Sequence, residues 1–82
     1  MGLKSAVDLT FEPQEGSPGG ALVYVDEQYV GTLQAVAARG LRLPEGEHRI
    51  TVEKVGYFPF DKVVVSDLDP IHLKIELLAL PD

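Results

Sequence analysis

The chain has 82 residues, enough for one small domain, and its 45% hydrophobic and 24% charged residues are typical of a globular protein. Thirteen acidic against seven basic residues give a net charge of −6, which repels phosphate backbones and anionic lipid headgroups, so nucleic acid is not an expected partner. The lack of cysteine excludes disulfides and thiol chemistry. No stretch approaches the roughly 20 apolar residues that a membrane-spanning helix needs, so direct membrane insertion is not expected either.

The first predicted strand is preceded by a short N-terminal segment, which we interpret as lying outside the domain. Residues 1–4 are expected to be an artificial start, in which case the natural protein would be longer, or a disordered terminus, and residues 5–80 are expected to form one domain. Val7, Leu9 and Phe11 alternate with smaller or polar residues. This period of two predicts a strand whose apolar side faces the core.

A loop and a tight hairpin are predicted next. Residues 13–20, PQEGSPGG, hold two prolines and three glycines, which is typical of a loop. Residues 21–25 form a second alternating strand, residues 26–28 a polar turn, and residues 29–32 a short returning strand.

The segment 33–39, LQAVAAR, is the one place where composition favours a helix. It contains three alanines, and Gly40 follows where a helix C-cap would lie. Seven residues are too few for a helix that is stable alone. An extended connection and a single helical turn are equally compatible with this segment.

Residues 41–54 are predicted to form a second hairpin. Leucines before the turn and aliphatic residues after it alternate with polar ones. Pro44 has a φ suited to a turn, Glu45 follows, and Gly46 can adopt the left-handed conformation that closes a three-residue hairpin with a bulge. Gly56 then interrupts the strand, which lets the ring of Tyr57 fold back over the core.

Two further strands complete the predicted fold. Pro59 interrupts the ladder because it has no N–H to donate, residues 62–65 resume a strand, and residues 66–70 form a turn. Residues 71–77 alternate as the last strand. Six or seven short strands at this spacing predict an all-β fold, a small two-layer antiparallel β-sandwich.

The stretch around the second hairpin resembles the signature of PEGA domains. The resemblance extends to the upstream segment ALVYVDEQYVGT, residues 21–32, and covers about three quarters of the chain. Glu47 stands where the Pro-Glu-Gly-Ala motif has alanine, Glu27-Gln28 replace a turn glycine, and residues 33–40 are longer than the usual connection. The residues that carry the resemblance are Pro44-Glu45-Gly46, His48, Glu53-Lys54 and Gly56-Tyr57.

The resemblance implies an immunoglobulin-like or transthyretin-like architecture. It also implies a non-catalytic module of multidomain bacterial proteins at the envelope or cell surface, in the periplasm or outside the cell. The residues themselves are equally compatible with the cytoplasm, because the lack of cysteine fits both compartments.

Few residues are suited to chemistry. Ser5, Ser17 and Ser66 lie in the terminus or in loops, and none is in the G-x-S-x-G turn of a hydrolase. The alternation directs His48 inward, where we expect a hydrogen-bonded residue at the rim of the core, and His72 outward. Without cysteine, two separate histidines do not predict a zinc site, so no enzyme activity, metal or cofactor is expected.

Three aspartates are candidates for calcium ligands. Asp61, Asp67 and Asp69 lie near one turn, but they lack the further ligands and the glycine of a known calcium loop. Aspartates that flank a turn with proline usually accept hydrogen bonds from its backbone. We therefore predict a capping role for Asp67 and Asp69.

Four aromatic residues are the candidates for an interaction surface: Tyr24, Tyr29, Phe58 and Phe60. With strict alternation Phe58 and Phe60 point outward together as an exposed apolar patch. With a bulge at Pro59, Phe60 returns to the core, and packing is the favoured alternative. The chain has no tryptophan, which disfavours a sugar-binding platform.

The sequence therefore favours a structural spacer or protein-interaction module of a larger bacterial envelope-associated protein. Its partners would be another protein or flanking domains of the same chain, bound for example by addition of a strand to an exposed edge. The domain itself would be a monomer or a weak dimer through such an edge. The alternatives are a carbohydrate- or small-ligand-binding domain appended to an enzyme and, least favoured, a metal-dependent enzyme.

Overall fold

Seven strands and one short helix make up the part of the chain that the computed structural model describes, residues 6–67 and 69–81. The expectation for residues 1–4 concerns residues outside these ranges. The elements are β1 (Ala6–Pro13), β2 (Leu22–Val25), β3 (Gln28–Thr32), α1 (Leu33–Arg39), β4 (Leu41–Pro44), β5 (Gly46–Glu53), β6 (Phe60–Ser66) and β7 (Ile71–Ile75).

The strands form two packed sheets, which confirms the predicted two-layer sandwich. The three-stranded sheet has the order β4-β1-β7, and the four-stranded sheet has the order β3-β2-β5-β6. All neighbouring strands are antiparallel except β1 and β7, which pair in parallel from Leu9↔Ile71 to Pro13↔Ile75. The expectation of a purely antiparallel sandwich is wrong for this one pair.

The core lies between the sheets and is built by the period of two. Inward-facing residues of both sheets are buried while their chain neighbours are exposed, as β7 shows with Leu73 and Ile75 buried and His72 and Lys74 exposed. The predicted inward faces of the strands are thereby confirmed where side chains are described. The buried hydrophobic residues are Leu9, Phe11, Ala21, Val23, Leu33, Val36, Leu43, Ile50, Val52, Val64, Leu73, Ile75 and Leu77.

The predicted hairpin over residues 41–54 is wrong, because β4 and β5 belong to different sheets. β4 pairs with β1, from Ala6↔Pro44 to Leu9↔Leu41, whereas β5 pairs with β2 and β6. The chain crosses between the layers at Glu45, and Gly46 takes a φ of 124°. A proline and a positive-φ glycine suit this corner as well as a hairpin turn.

The hairpin of β2 and β3 is confirmed, and its turn is tighter than predicted. Val25 pairs with Gln28, so only Asp26 and Glu27 lie in the turn, both with positive φ, 50° and 72°. Positive φ at both central residues is the property of a type I′ turn, which usually contains glycine. These two residues occupy the turn without glycine because Asp26 is held by hydrogen bonds from β5.

The helical alternative for residues 33–39 is the one that the chain adopts. The Thr32 side chain accepts a hydrogen bond from Ala35 N (3.3 Å), and Gly40, with φ 73°, donates its N–H to Val36 O (2.7 Å). The helix buries Leu33 and Val36. This tertiary packing stabilises a helix that is too short to persist alone.

Candidate interaction surfaces

The register of the four-stranded sheet places one row of side chains across all four strands on its exposed side, which we call the outer face. Tyr29 pairs with Tyr24, Tyr24 with Thr51, and Thr51 with Asp61. The two tyrosine rings meet edge to face, with centroids 5.8 Å apart and an interplanar angle of 61°. Tyr29 is 57% exposed and Tyr24 is half-buried, so this pair can offer an aromatic contact without forming a flat platform.

A bulge in β3 determines that Tyr29 faces outward. The pairing shifts between Val23 and Tyr24, so that Val30 has no direct partner and Gly31 opposes Val23. Val30 packs against the core, and Gly31 has a φ of 140°. A Cβ at Gly31 would lie 3.3 Å from an Arg39 side-chain nitrogen, so glycine is required where β3 meets the helix.

Two valines on β6 extend the outer face to a free edge of the sheet. Val63 is 46% exposed and Val65 is 62% exposed, and they pair with Arg49 and Glu47 of β5. β6 is the last strand of the four-stranded sheet. Its backbone on the far side therefore presents the row of unpaired groups that an added strand can use.

A shallow groove crosses the middle of the outer face. It has a volume of about 350 Å³ and is lined by Tyr24, Glu27, Arg49, Thr51, Glu53 and Asp61. Arg49 Nε lies 3.3 Å from Asp61 Oδ1. Three carboxylates face one guanidinium here, so the groove carries net negative charge and favours a basic ligand.

A separate apolar patch, which we call the tail patch, consists of Phe58, Leu78 and Leu80. Phe58 N donates to Leu78 O (2.8 Å), and Leu80 N donates to Gly56 O (2.8 Å), which brings the last described segment against the turn after β5. The three side chains are 50%, 60% and 45% exposed. Tyr57, on the alternate position, packs partly buried against the core, as predicted.

Of the four predicted contact residues, Phe60 is the one that the structure removes from the surface. Phe60 opposes Val52, an inward-facing residue of β5, and packs partly buried against the core. The irregular backbone at Phe58-Pro59 lies outside any strand and resets the alternation before β6 begins. The favoured alternative, in which Phe60 returns to the core, is therefore correct. The prediction of Phe60 as an exposed contact residue is wrong.

His48 lies at the corner between the sheets and makes two hydrogen bonds. Its Nδ1 is 2.7 Å from Asp26 Oδ2, and its Nε2 is 2.9 Å from Pro44 O. Both partners can only accept, so both ring nitrogens must carry a proton for the two bonds to form together. The predicted role of His48 as a hydrogen-bonded rim residue is confirmed.

The charges at this corner support each other. The hydrogen bond to Asp26 raises the pKa of His48 above its ordinary value of 6.5. The hydrogen bond to His48, together with the N–H of Arg49 at 2.9 Å, lowers the pKa of Asp26 below its ordinary value of 3.8. The β2–β3 turn is thus tied to β5 and to the end of β4, which is a structural arrangement without a nucleophile.

The remaining polar candidates are distributed over the molecule. His72 Nδ1 lies 3.0 Å from Glu12 Oε2 on the three-stranded sheet, far along the chain from His48. Asp67 Oδ1 accepts from Asp69 N (3.0 Å), which confirms the capping role of Asp67, while that of Asp69 stays a prediction. Among residues 6–67 and 69–81, no three His, Cys, Asp or Glu side chains converge as metal ligands.

The serine hydroxyls within the described ranges bind backbone carbonyls. Ser17 Oγ donates to Ile75 O (3.1 Å) and Ser66 Oγ donates to Leu43 O (3.3 Å), while Ser5 is outside those ranges. No helix in the described part of the chain has the length and apolar character needed to cross a membrane.

Sequence reasoning missed the two β6 valines and the two leucines of the tail patch. Three consecutive valines, 63–65, give no polar alternation that would show which of them faces outward, and alternation ends before Leu78. The link between Asp26 and His48 was also missed, because 22 residues separate them in the chain. Only the position of Asp26 in a predicted turn pointed to a special role.

The fold and these surfaces define a small all-β sandwich module. The chain belongs to the PEGA domain family, whose model matches residues 15–78, most of the chain. PEGA domains are small non-catalytic modules found in larger proteins, and membership suggests a secreted or envelope protein. Comparisons with curated proteins and with solved structures both find no significant match.

Proposed function

We propose that this PEGA domain is a rigid, non-catalytic spacer of a larger bacterial envelope-associated protein, which keeps the parts on either side of it apart. The observation that carries the proposal is the parallel pairing of β1 with β7. Parallel strands run in the same direction, so the chain enters β1 at one end of the three-stranded sheet and leaves β7 at the other. The end of β7 lies level with Pro13, five residues after Asp8, which corresponds to about 17 Å at about 3.3 Å per residue.

The use of the polar side chains supports a structural role. Ser17, Ser66 and His48 bind backbone carbonyls of neighbouring segments, and His48 also binds the carboxylate of a turn residue. Nucleophilic catalysis needs a free nucleophile next to an oriented base. The described residues that could take these roles are instead used to hold turns and strands together.

A module exchange in the full-length protein tests the spacer. Residues 5–80 are replaced either by an unrelated rigid β-sandwich with its termini at opposite ends or by a flexible Gly/Ser linker of equal residue number, and the phenotype of the deletion is scored. A spacer predicts rescue by the rigid module and failure of the linker, because a flexible chain does not maintain a fixed separation. Rescue by the linker, or failure of both replacements, contradicts the proposal.

A protein-interaction role is the second candidate, and it is favoured by the outer face. Exposed Tyr29, Val63 and Val65 lie on the same face as an acidic groove, beside a free strand edge. These features suit an extended partner segment that adds to β6 and carries aliphatic residues flanked by lysine or arginine. The unrelated module in the exchange experiment would then fail, because it lacks these residues.

The variant Val65→Lys tests this second candidate directly. It places a charge on the exposed edge strand and should abolish capture of a partner that binds there, with the fold retained. His72→Ala is the control, because His72 is equally exposed but lies on the other sheet. Partner capture that survives Val65→Lys, or that is lost in both variants, contradicts binding at β6.

A carbohydrate-binding role remains the alternative for the aromatic residues. The edge-to-face arrangement of Tyr24 and Tyr29 gives it less support than a flat platform would. Retention on immobilised polysaccharide by the native chain, with loss in Tyr29→Ala and Phe58→Ala and an unchanged circular dichroism spectrum, would favour it. Absence of retention by the native chain argues against it.

A further inference from the structure

β1 is the middle strand of the three-stranded sheet and is paired along its whole length. Its first half pairs with β4, from Ala6↔Pro44 to Leu9↔Leu41, and its second half pairs with β7 through five residue pairs that end at Pro13↔Ile75. The parallel ladder continues past the strand, since Gln14 N donates to Ile75 O at 2.8 Å.

The far end of this ladder is reinforced. Ser17 Oγ donates a second hydrogen bond to Ile75 O (3.1 Å), and Ser17 N donates to Gln14 O (3.0 Å). On the exposed side, Glu12 of β1 lies 3.0 Å from His72 of β7. Backbone and side chains therefore both connect β1 to β7.

Tension along the chain would load this ladder in a particular direction. Pulling toward the N-terminus draws β1 along its own axis, and pulling toward the C-terminus draws β7 along the opposite direction. Because the strands are parallel, the two forces slide one strand past the other, so that the five residue pairs share the load. If both strands were pulled at the same end, the pairs would separate one after another.

We propose that the β1–β7 ladder is a mechanical clamp that lets this domain bear tension between the segments on either side of it. The biological meaning of the clamp rests on the proposed spacer function. The clamp itself is a property of the isolated domain. Two backbone hydrogen bonds join residues 78 and 80 to residues 58 and 56, and we expect this shorter contact to open before the ladder of five residue pairs, which leaves β7 to bear the load.

The lack of cysteine allows the clamp to be tested with two attachment points chosen freely. Asp8→Cys with Glu76→Cys attaches the handles at opposite ends of the ladder and gives the sliding geometry. Glu15→Cys with Glu76→Cys attaches both at the same end and gives the separating geometry. All three positions are exposed, and the two double variants differ only in the handle on the β1 side.

The two variants are unfolded singly in optical tweezers at the same loading rate. The sliding geometry should require a force roughly twofold higher or more, because several residue pairs resist together rather than one at a time. Equal forces, or a lower force in the sliding geometry, would overturn the clamp. Thermal unfolding of both variants without load checks that they are equally folded.

Asp8 lies 3.7 Å from Arg42, and if its replacement prevents folding, handles at the two chain termini give the same sliding geometry. If the sliding geometry needs the higher force but the rigid module does not rescue the deletion, the clamp stands and the spacer function is contradicted. If the rigid module rescues the deletion but the two geometries unfold at equal forces, the spacer function stands and the clamp is contradicted. The two proposals can therefore fail separately.

Discussion

The two sheets bury their inner faces in the same core but differ in what they present outside. The three-stranded sheet carries polar and charged residues on its exposed side, and they form cross-strand pairs, Asp8 with Arg42 at 3.7 Å and Glu12 with His72 at 3.0 Å. The four-stranded sheet exposes a tyrosine and two valines beside a free edge. The first sheet contains the first and the last strand of the fold, and the second sheet carries the candidate contact residues.

The difference follows from the strands that each sheet contains. Charged pairs on the surface contribute little stability, but they keep the three-stranded sheet from adding further strands. On β6, the edge strand of the four-stranded sheet, Asp61 and Lys62 are exposed as well, but Val63 and Val65 leave a stretch of its exposed side without charge. The molecule therefore places the pairing of its first and last strands on one sheet and its candidate contact surface on the other.

The largest expected effect tests whether the sheets share one core. Leu9→Ala in the three-stranded sheet and Ile50→Ala in the four-stranded sheet each remove a fully buried side chain. Each should lower the free energy of unfolding by about 2–5 kcal/mol, which is a large part of the stability of so small a domain. Urea unfolding followed by circular dichroism measures this loss.

Val65→Ala is the control for the core variants, since an exposed residue should change stability by no more than about 0.5 kcal/mol. A large loss for only one of the two core variants would indicate that the sheets unfold independently.

The next largest effect concerns the bulge that gives the four-stranded sheet its exposed tyrosine. Gly31→Ala should cost about 1–3 kcal/mol, because φ is 140° and the new Cβ would meet Arg39 at 3.3 Å and Val36 at 3.4 Å. Gly20→Ala is the matched control, with only Lys54 Nζ nearby at 3.8 Å. Thermal unfolding of both variants should separate them, and an equal loss for both would argue against strain at the bulge.

A smaller effect is expected from a hydroxyl that joins the two sheets. Ser66 of β6 is buried and donates to Leu43 O of β4. Ser66→Ala should lower stability by about 0.5–1.5 kcal/mol, because the buried carbonyl loses this donor. In the comparison variant Ser17→Ala, Ile75 O retains the N–H of Gln14, so chemical denaturation should show a smaller loss there.

The smallest effect depends on pH and concerns the corner where the chain passes between the sheets. His48 has a raised pKa, so its contribution is complete below about 6.5 and is lost as pH rises through the folded-state value. Asp26 has a lowered pKa, so its contribution is present above about 3.8 and is lost as pH falls through its folded-state value. The pair should stabilise the fold most between these limits.

Asp26→Asn should therefore be less stable than the native chain mainly between about pH 4 and 6.5, and the difference should shrink on both sides. His48→Gln should show the same profile, and the double variant should add little to either single variant because the two groups act as a pair. A difference that is constant from pH 3 to pH 9 would show that the charges at the corner do not contribute.

Local sequence patterns were sufficient to predict several features of the fold. The alternation of apolar residues identified the inward faces of the strands, since one buried face needs a side chain at every second position. The polar turn at Asp26 and the inward direction of His48 followed from the same pattern. The candidate surface was recovered only in part, with Tyr29 and Phe58 exposed and Phe60 returned to the core by the irregular backbone at Pro59.

The amino-acid sequence alone determined that this is a two-layer β-sandwich of the PEGA type and which sides of its strands face inward. Tertiary structure alone decided which strands pair: β4 joins β1 instead of β5, and β7 lies parallel to β1. Alternation specifies a buried face but not the neighbour that covers a strand edge, because backbone hydrogen bonds are the same for every partner. For the same reason Pro44-Glu45-Gly46 fits a corner as readily as a hairpin, and only the competition among all strands selects between them.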